Sequence, residues 1–246
     1  MSAQILQTVV DQITTLSYNV RNFRLRLVQP NRMAFEAGQF IIVHVPASAV
    51  PSGAGRSKDG TTVKRAYSIA SPPHEEGVVE LCLQHVEKGI ASTFFWALKP
   101  GMPVTLSGPH GRFLLKQPLT YQPIFMATGT GVAPFRSMIK HLYHQQFSDE
   151  MWLLFGCRYE HSLLYETEFR TLATMRRGFH YVPTVSRPKE WMGETGHIQQ
   201  TFRKHFPELG NREIYICGWL EIVKQIVKDL ELFGVPKERI HYEEWA

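Results

Sequence analysis

A glycine-rich turn in the second half of the sequence has the composition of a phosphate-binding loop. Residues 127–134 read Ala-Thr-Gly-Thr-Gly-Val-Ala-Pro and follow a short apolar run typical of a buried strand. Two glycines permit close approach of a ligand to the backbone, and the helix that follows presents unpaired N–H groups and a partial positive charge. Pro134 stands where the G-x-G-x-x-G fingerprint has its third glycine, so the turn predicts a phosphate site outside the ordinary dinucleotide motif.

Three other apolar runs of this half end in small, hydroxylated or cationic residues. Their last residues are Gly156-Cys157-Arg158, Ser186-Arg187 and Cys217-Gly218. In an open parallel sheet, ligands bind outside the carboxyl ends of the strands, so these residues would gather at one edge. A glycine at the end of a strand more often marks a plain turn, but four concordant strand ends favour a dinucleotide that carries phosphate.

One stretch of the first half places a cation, an aromatic ring and a hydroxyl within four residues, Arg65-Ala66-Tyr67-Ser68. On a strand, Arg65 and Tyr67 would point to one face and Ser68 to the other. This combination suits a planar cofactor with a phosphate group. By physics alone, the stretch could also be an ordinary barrel strand.

A second phosphate site is predicted at Lys88-Gly89-Ile90-Ala91-Ser92-Thr93, ahead of a short helix expected over Phe94–Leu98. At the start of that helix, Ser92 and Thr93 would present hydroxyl and N–H groups to an anion. A plain helix cap without a ligand is the alternative interpretation.

The elements that must position these residues follow two different patterns along the chain. In the first half, strand-like runs such as IIVHV, VELCLQHV and MPVTLSG are separated by turn-rich clusters, which predicts a closed antiparallel Greek-key β-barrel. Residues Val50–Thr62, rich in Gly, Ser, Pro and Lys, are expected to form an exposed loop.

The second half alternates strands and helices, which predicts a parallel α/β sheet with helices on both faces. One helix is expected to open at Pro134, because proline suits a first helical position, and the last strand is expected over 240–245. The change of pattern places the domain boundary near residue 118. We therefore expect a barrel domain at 1–118 and an α/β domain at 119–246.

Composition excludes several classes of protein. Of 246 residues, 43% are hydrophobic and 20% charged, which excludes a disordered or fibrous chain. Three cysteines without a C-x-x-C motif exclude a disulfide scaffold, a zinc ribbon and a four-cysteine iron–sulfur cluster. No apolar run approaches the ~20 residues that span a bilayer, and the first sixteen residues do not resemble a signal peptide, so we expect a soluble cytoplasmic protein. His141 and His144 are expected to be solvated surface residues, and no metal site is predicted.

The charge is distributed unevenly between the two halves. Residues 1–118 hold twelve Lys and Arg against seven Asp and Glu, whereas residues 119–246 hold fifteen of each. This surplus is too dilute for a nucleic-acid binder, but it could steer a small acidic partner. The alternative is that the charge serves solubility alone.

Six motifs of the sequence, taken together and in their order along the chain, are characteristic. They are Arg65–Ser68, Gly89–Ser92, Leu98–Gly101 with Gly108–Phe113, Gly129–Pro134, Cys217-Gly218 and Tyr242–Trp245. The set resembles the ferredoxin–NADP reductase family of flavoproteins, which includes bacterial ferredoxin or flavodoxin reductases and the flavin modules of oxygenase reductases. The resemblance covers nearly all of the chain. It implies a flavin-binding barrel followed by an NAD(P)-binding α/β domain, with the reaction in the cleft between them.

The resemblance also implies roles for single residues. Arg65 would contact the flavin phosphate, Tyr67 would pack on the isoalloxazine and Ser68 would hydrogen-bond near its N5. Cys217 would lie beside the nicotinamide, although a small apolar residue at the end of a buried strand is its alternative role. Glu243 and Trp245 would lie near the flavin, which makes Ser68, Cys217 and Glu243 the predicted catalytic residues. The predicted cofactor-binding residues are Arg65, Ala66, Tyr67, Ser68, Gly89, Ile90, Ala91, Ser92, Thr93, Thr128, Gly129, Thr130, Gly131, Val132, Arg158, Ser186, Arg187, Gly218 and Trp245.

The choice of nicotinamide cofactor depends on charge near the adenosine ribose. A 2′-phosphate calls for arginine, whereas a free 2′-hydroxyl is usually met by Asp or Glu. Arg158 and Ser186-Arg187 therefore favour NADPH, and the Ser-Arg pair matches NADP-selective members of the family. The segment Lys189–His197 lacks the Lys and Tyr of plant-type members and looks more like oxygenase reductases, so NADH stays open. FAD is expected rather than FMN.

The resemblance implies a flavoenzyme that transfers hydride between NADPH, or NADH, and FAD and exchanges single electrons with a separate carrier. The basic first half favours an acidic carrier such as ferredoxin or flavodoxin. The alternatives are an NAD(P)H:flavin reductase, the reductase component of an oxygenase, and a non-enzymatic nucleotide sensor or electron-transfer subunit. A monomer is expected, with no nucleic-acid partner.

Overall fold

The computed structural model describes residues 3–49 and 62–245. They form two units: unit 1 contains residues up to 114 together with 136–145, and unit 2 contains residues 115–135 and the chain from 146 onward. The domain boundary near residue 118 stays a prediction. The loop expected over Val50–Thr62 lies outside the described residues except for Thr62, which begins a strand.

Unit 1 is a six-stranded antiparallel sheet. Its strands are β1 (Gln4–Ser17), β2 (Val20–Gln29), β3 (Phe40–Pro46), β4 (Thr62–Ser68), β5 (Val78–Gln84) and β6 (Pro103–His110), in the order β4-β3-β6-β1-β2-β5. A bridge between Ile69 and Leu81 joins the two ends of this order. The antiparallel, barrel-like fold predicted for the first half is thus confirmed.

Alternating residues of these strands fill the interior of unit 1, because successive side chains of a strand point to opposite faces. The inward set includes Leu6, Phe23, Leu25, Ile41, Val43, Leu81 and Leu106, all fully buried. Phe95 of helix α1 (Ile90–Ala97) packs on Phe23 with ring centroids 4.9 Å apart. The helix begins at Ile90, with Gly89 as its N-cap, four residues before the predicted start at Phe94. The predicted start was therefore wrong.

Unit 2 is a six-stranded parallel sheet. Its strands are β7 (Gln122–Thr128), β8 (Met151–Cys157), β9 (Phe179–Val185), β10 (Glu194–Thr195), β11 (Arg212–Trp219) and β12 (Ile240–Trp245), in the order β10-β9-β8-β7-β11-β12. The helices between them are α2 (Val132–His144), α3 (Glu166–Met175), α4 (Ile198–His205) and α5 (Leu220–Leu232). The parallel α/β fold is confirmed.

Helix α2 opens two residues earlier than predicted. A single 3-10 turn over Gly129–Gly131 leads directly into Val132, so Pro134 is the third helical residue. Proline is tolerated there because the first N–H groups of a helix have no intrahelical acceptor. Residues 136–145 belong to unit 1. They comprise the helix from Arg136 to its end at His144, together with Gln145.

Both faces of the parallel sheet are covered by apolar contacts. On one face, Ile124 and Ile216 pack with α4 and α5 in a single buried cluster. On the other face, Phe125 contacts Phe135 of α2 at 5.0 Å and Tyr215 at 5.8 Å between ring centroids. Within the described ranges, none of the helices combines the length and apolar character that a bilayer span requires.

Candidate functional site

The strand order of unit 2 reverses between β7 and β11. From β7 the chain proceeds outward through β8 and β9, and it then returns to β11 and β12 on the other side of β7. Ligands of open parallel sheets bind at such a switch point, outside the carboxyl ends of the strands. The residues at this point are Thr128, which ends β7, the turn Gly129–Gly131 that follows it, and Cys217-Gly218 near the end of β11.

These two strand ends pack against each other through their backbones. A Cβ atom added to Gly131 would lie 2.2 Å from the carbonyl oxygen of Cys217, and one added to Gly218 would lie 2.4 Å from Oγ1 of Thr128. A side chain at Gly131 would require a shift of the backbone, whereas a side chain at Gly218 would meet the side chain of Thr128. Both glycines are buried, and the exposed glycine of the turn is Gly129, just ahead of the N-terminal end of α2. The first N–H groups of this helix fit a ligand phosphate.

Cys217 is a neutral, buried thiol. Its side chain is 1% exposed, and burial, followed by the nearby charge of Glu243, raises the pKa of the thiol well above its usual value. Glu243 lies beside it in register on β12, and Trp245 lies beside Trp219 in the same pairing. A protonated thiol is a poor nucleophile, so Cys217 is suited to packing rather than to covalent catalysis. The roles assigned to Cys217, Glu243 and Trp245 by resemblance stay predictions.

Two exposed arginines stand at the neighbouring ends of β8 and β9. The backbone N–H of Ser186 donates to the carbonyl of Cys157 at 3.0 Å, and that of Arg187 donates to the carbonyl of Arg158 at 2.8 Å. These bonds extend the ladder between β8 and β9 beyond its last paired residues. Two guanidinium groups on adjacent backbones fit an anionic ligand such as a phosphate.

In unit 1, the predicted flavin residues lie on β4 and around α1. The ring of Tyr67 meets Phe95 edge-on, with centroids 6.0 Å apart, and burial raises the pKa of Tyr67 to about 12, so its hydroxyl stays protonated. Arg65 is exposed and its Nη1 donates to the carbonyl of Lys64 at 2.8 Å, while Ser68 is half-buried opposite Phe40 of β3. A fixed ring beside an exposed cation fits a planar cofactor that carries phosphate.

The hydroxyl of Ser92 forms its hydrogen bonds within the turn that leads into α1. The Oγ of Ser92 donates toward the carbonyls of Val86 and Gly89, at 3.0 and 3.1 Å, and accepts the N–H of Val86 at 3.2 Å. The expectation that Ser92 presents its hydroxyl to an anion is therefore corrected, because this hydroxyl is committed to the turn. The first N–H groups of α1 are the donors that remain for a phosphate. Binding by Gly89, Ile90, Ala91, Ser92 and Thr93 stays a prediction.

A buried charge network centred on Glu80 of β5 was not predicted from the sequence. Glu80 of β5 accepts from Nη1 of Arg24 at 2.9 Å and from Nη1 of Arg136 at 2.6 Å. Arg136 also donates to the carbonyl of Ala70 at 2.9 Å, and Ser137 donates to the carbonyl of Ser71 at 2.7 Å. The network therefore fixes the backbone immediately after the Arg65–Ser68 strand. A single acidic residue inside the apolar run VVELCL was the available signal.

The histidines of α2 differ from the expectation of solvated side chains. His144 is exposed, but His141 is half-buried, and both rings contact His74 of unit 1. The rings of His74 and His144 are stacked with centroids 3.9 Å apart at 11°. Among the residues that the structure describes, no three His, Cys, Asp or Glu side chains are placed to hold a metal ion.

Comparison with known proteins identifies two family models in the chain. Residues 7–114 match an oxidoreductase FAD-binding domain, and residues 125–228 match an oxidoreductase NAD-binding domain. Ferredoxin–NADP reductase B of Sorangium cellulosum is 32% identical over 242 residues, which cover 95% of this chain and 94% of that protein.

Two further similar proteins are a monooxygenase reductase component and a cytochrome P450 reductase. The reductase component DmpP of phenol 2-monooxygenase from Pseudomonas sp. is 33% identical over 216 residues, and these cover 85% of this chain but only 57% of that protein. Among solved structures, the Amycolatopsis cytochrome P450 reductase GcoB superposes with a TM-score of 0.86 at 27% identity, over 98% of this chain and 70% of that one.

Proposed function

This chain belongs to the ferredoxin–NADP reductase family of flavoprotein oxidoreductases, and we propose that it oxidises NADPH through FAD and delivers electrons singly to an acidic carrier protein of the ferredoxin or flavodoxin class. FAD, when bound, accepts a hydride from the nicotinamide and releases electrons one at a time. The pair of exposed arginines at the ends of β8 and β9, held on adjacent backbones, is the observation that carries the choice of NADPH.

The residues of unit 1 would hold and shape the flavin. Tyr67 supplies a neutral ring that is fixed against Phe95, Arg65 supplies a cation for phosphate, and the start of α1 supplies N–H donors for a pyrophosphate. Ser68 would donate a hydrogen bond at the edge of the isoalloxazine. Their task is to orient the ring and exclude water, which needs no general base.

The residues of unit 2 would bind the dinucleotide. The turn Gly129–Gly131 at the start of α2 would lie against the pyrophosphate, and Gly218 would lie near the nicotinamide end. Cys217 would pack beside the nicotinamide as a neutral thiol. Arg158 and Arg187 would bind the 2′-phosphate, and the hydroxyl of Ser186 would donate a further hydrogen bond to it. Glu243 and Trp245 would complete the site from the last strand.

The distribution of charge along this chain supports the proposal of an acidic carrier protein. The surplus of Lys and Arg lies entirely in residues 1–118, and complementary charge raises the rate of association between electron-transfer partners. All three cysteines are free thiols, which fits the reducing cytoplasm that we propose as the compartment.

A reductase component of an oxygenase is the second candidate. It is favoured by the similarity to the phenol 2-monooxygenase reductase component, whose length this chain covers only in part. In that case the electron acceptor would be an oxygenase or its own iron–sulfur protein. A third outcome, release of reduced free flavin, would be recognised by loss of the flavin on dilution.

The test of the cofactor choice is kinetic. We expect the ratio of kcat/KM for NADPH to that for NADH to fall at least about tenfold in Arg187→Ala, because a lost charge-assisted hydrogen bond costs roughly 1.5–3 kcal/mol. Arg177→Ala, which removes an exposed arginine before β9 at the opposite edge of the sheet, is the matched control. A ratio that stays within about twofold in both variants would refute the 2′-phosphate site.

The test of the carrier uses salt. Reduction of ferredoxin should be inhibited steeply by added salt, whereas reduction of ferricyanide should not, because screening weakens contacts between exposed charges. Mass spectrometry of the released chromophore identifies FAD or FMN. Equal salt dependence for both acceptors would favour the oxygenase or free-flavin alternatives.

A further inference from the structure

The turn after β8 carries a carboxylate that binds the segment after β9. One oxygen of Glu160, Oε1, accepts the backbone N–H of Lys189 at 2.9 Å and that of Glu190 at 2.7 Å. Glu160 lies two residues beyond Arg158, and Lys189 lies two residues beyond Arg187. The two bonds therefore join the backbones that carry the two candidate phosphate-binding arginines.

This carboxylate is ionised at neutral pH. The N–H groups of Glu190, of Glu160 itself and of Lys189 hold the pKa of Glu160 below its usual value. Hydrogen bonds from N–H groups to a charged carboxylate are stronger than those between neutral groups. Lys189 and Glu190 are exposed loop residues. Without Glu160, their N–H groups would face solvent.

The charge of Glu160 is balanced by backbone and not by the neighbouring guanidinium groups. Neither Arg158 nor Arg187 forms an ion pair with any residue in the described ranges. An acidic side chain two residues from a phosphate-binding arginine would ordinarily compete with the ligand for that cation. Here its negative charge is taken up by two N–H groups of another segment.

We infer that Glu160 is a positioning residue for the adenosine end of the nicotinamide dinucleotide. By holding Lys189 and Glu190, it keeps the Arg187 segment beside Arg158, so that both guanidinium groups stay near one ligand phosphate. The inference rests on the proposed use of NADPH. It assigns to Glu160 a role in discrimination between cofactors and not in hydride transfer.

The test compares two small ligands that differ by the 2′-phosphate. Dissociation constants for 2′,5′-ADP and 5′-AMP are measured by calorimetry on the purified flavoprotein. We expect Glu160→Ala to weaken 2′,5′-ADP about tenfold and 5′-AMP less than about threefold, as the loss of a charge-assisted contact predicts. KM for NADPH should rise in parallel while kcat is retained.

Two further variants separate positioning from charge and from folding. Glu160→Gln keeps an oxygen acceptor but loses the charge, so the expected loss for 2′,5′-ADP is roughly threefold, and this variant carries the test if Glu160→Ala does not fold. Glu208→Ala removes an exposed glutamate between α4 and β11 and should leave both ligands unaffected. Amide hydrogen exchange at Lys189 and Glu190 should accelerate in Glu160→Ala only.

The outcomes are distinguishable. If the wild type prefers 2′,5′-ADP and Glu160→Ala keeps that preference, or if exchange at Lys189 and Glu190 is unchanged, the role of Glu160 is refuted while the use of NADPH stands. If the wild type binds both ligands equally, the NADPH proposal fails and the inference fails with it. Equal weakening of both ligands in Glu160→Ala also overturns the inference, since it shows a general loss of the site.

Discussion

The two units hold their ligand-facing residues in place by different means. In unit 1, the backbone after β4 is fixed by side-chain charges, through Arg136 and Glu80. In unit 2, the two strand ends at the switch point meet closely at two glycines, Gly131 against the backbone of Cys217 and Gly218 against the side chain of Thr128. We therefore expect unit 1 to be most sensitive to the loss of a polar partner, and unit 2 to the gain of a single carbon atom.

The largest effect is expected for Glu80→Ala. Arg136 is 7% exposed, and removal of Glu80 takes away the carboxylate that this buried guanidinium contacts at 2.6 Å. Breaking a buried ion pair from one side costs about 3–5 kcal/mol, so the free energy of unfolding in urea should fall by that amount.

Glu76→Ala is the matched control for this change. Glu76 pairs with Arg32 at 3.0 Å, with side chains 62% and 73% exposed, and such surface pairs contribute about 0–1 kcal/mol. A loss of stability in Glu80→Ala no larger than in the control would show that unit 1 does not depend on its charge network.

The next effect is expected for Gly131→Ala and falls on activity. The added Cβ would meet the Cys217 carbonyl at 2.2 Å, so one of the two strand ends must move. A displacement of about 1 Å at a reacting site costs on the order of 100-fold in rate, and we expect flavin reduction by NADPH to slow by that factor in anaerobic stopped-flow measurements.

Gly129→Ala in the same turn separates packing from backbone conformation. Gly129 has a φ of 54° but no atom within 4 Å of an added Cβ, so this change carries only the cost of a left-handed alanine, roughly 1–2 kcal/mol. Its rate should therefore fall by much less. Equal losses in the two variants would mean that the backbone contact at Gly131 is not what shapes the site.

The same contrast explains what could be predicted from the sequence. The glycine turn, the strand ends and the arginines of unit 2 were found because each follows an apolar run, and a parallel sheet brings such ends to one edge. The partners of Glu80 could not be found, because Arg136 is 56 residues away and no local pattern connects them. The start of α1 was missed because Ser92 resembles an N-cap residue, whereas Gly89 has that position.

Glu160 shows the same limit inside unit 2. Its residue type and position after β8 are visible in the sequence, but the two N–H donors that it binds lie 29 and 30 residues away in a segment without regular structure. Side-chain to backbone bonds of this kind depend on the tertiary placement of two loops. They become visible only when the sheet has aligned β8 with β9.

The smallest effect is expected from pH and concerns the histidines of unit 1. Burial, followed by the neighbouring His144, lowers the pKa of His74 and of His141. Glu75 opposes this shift at His74, and Lys140 adds to it. Because their folded pKa values lie below the unfolded ones, these histidines bind more protons in the unfolded state. Their contribution to stability is complete above the unfolded pKa and is lost as the pH falls through the folded values.

Urea unfolding of the wild type between about pH 7.5 and pH 5 should therefore show a loss of stability that His74→Phe reduces, since phenylalanine keeps a flat ring without a proton site. The difference between the two slopes should stay below about 1 kcal/mol, because solvent screens half-exposed rings. His85→Asn, at an exposed histidine beside Trp96, is the control variant for the loss of one imidazole. Identical slopes for the wild type and His74→Phe would show that His74 does not contribute to the pH dependence of stability in this range.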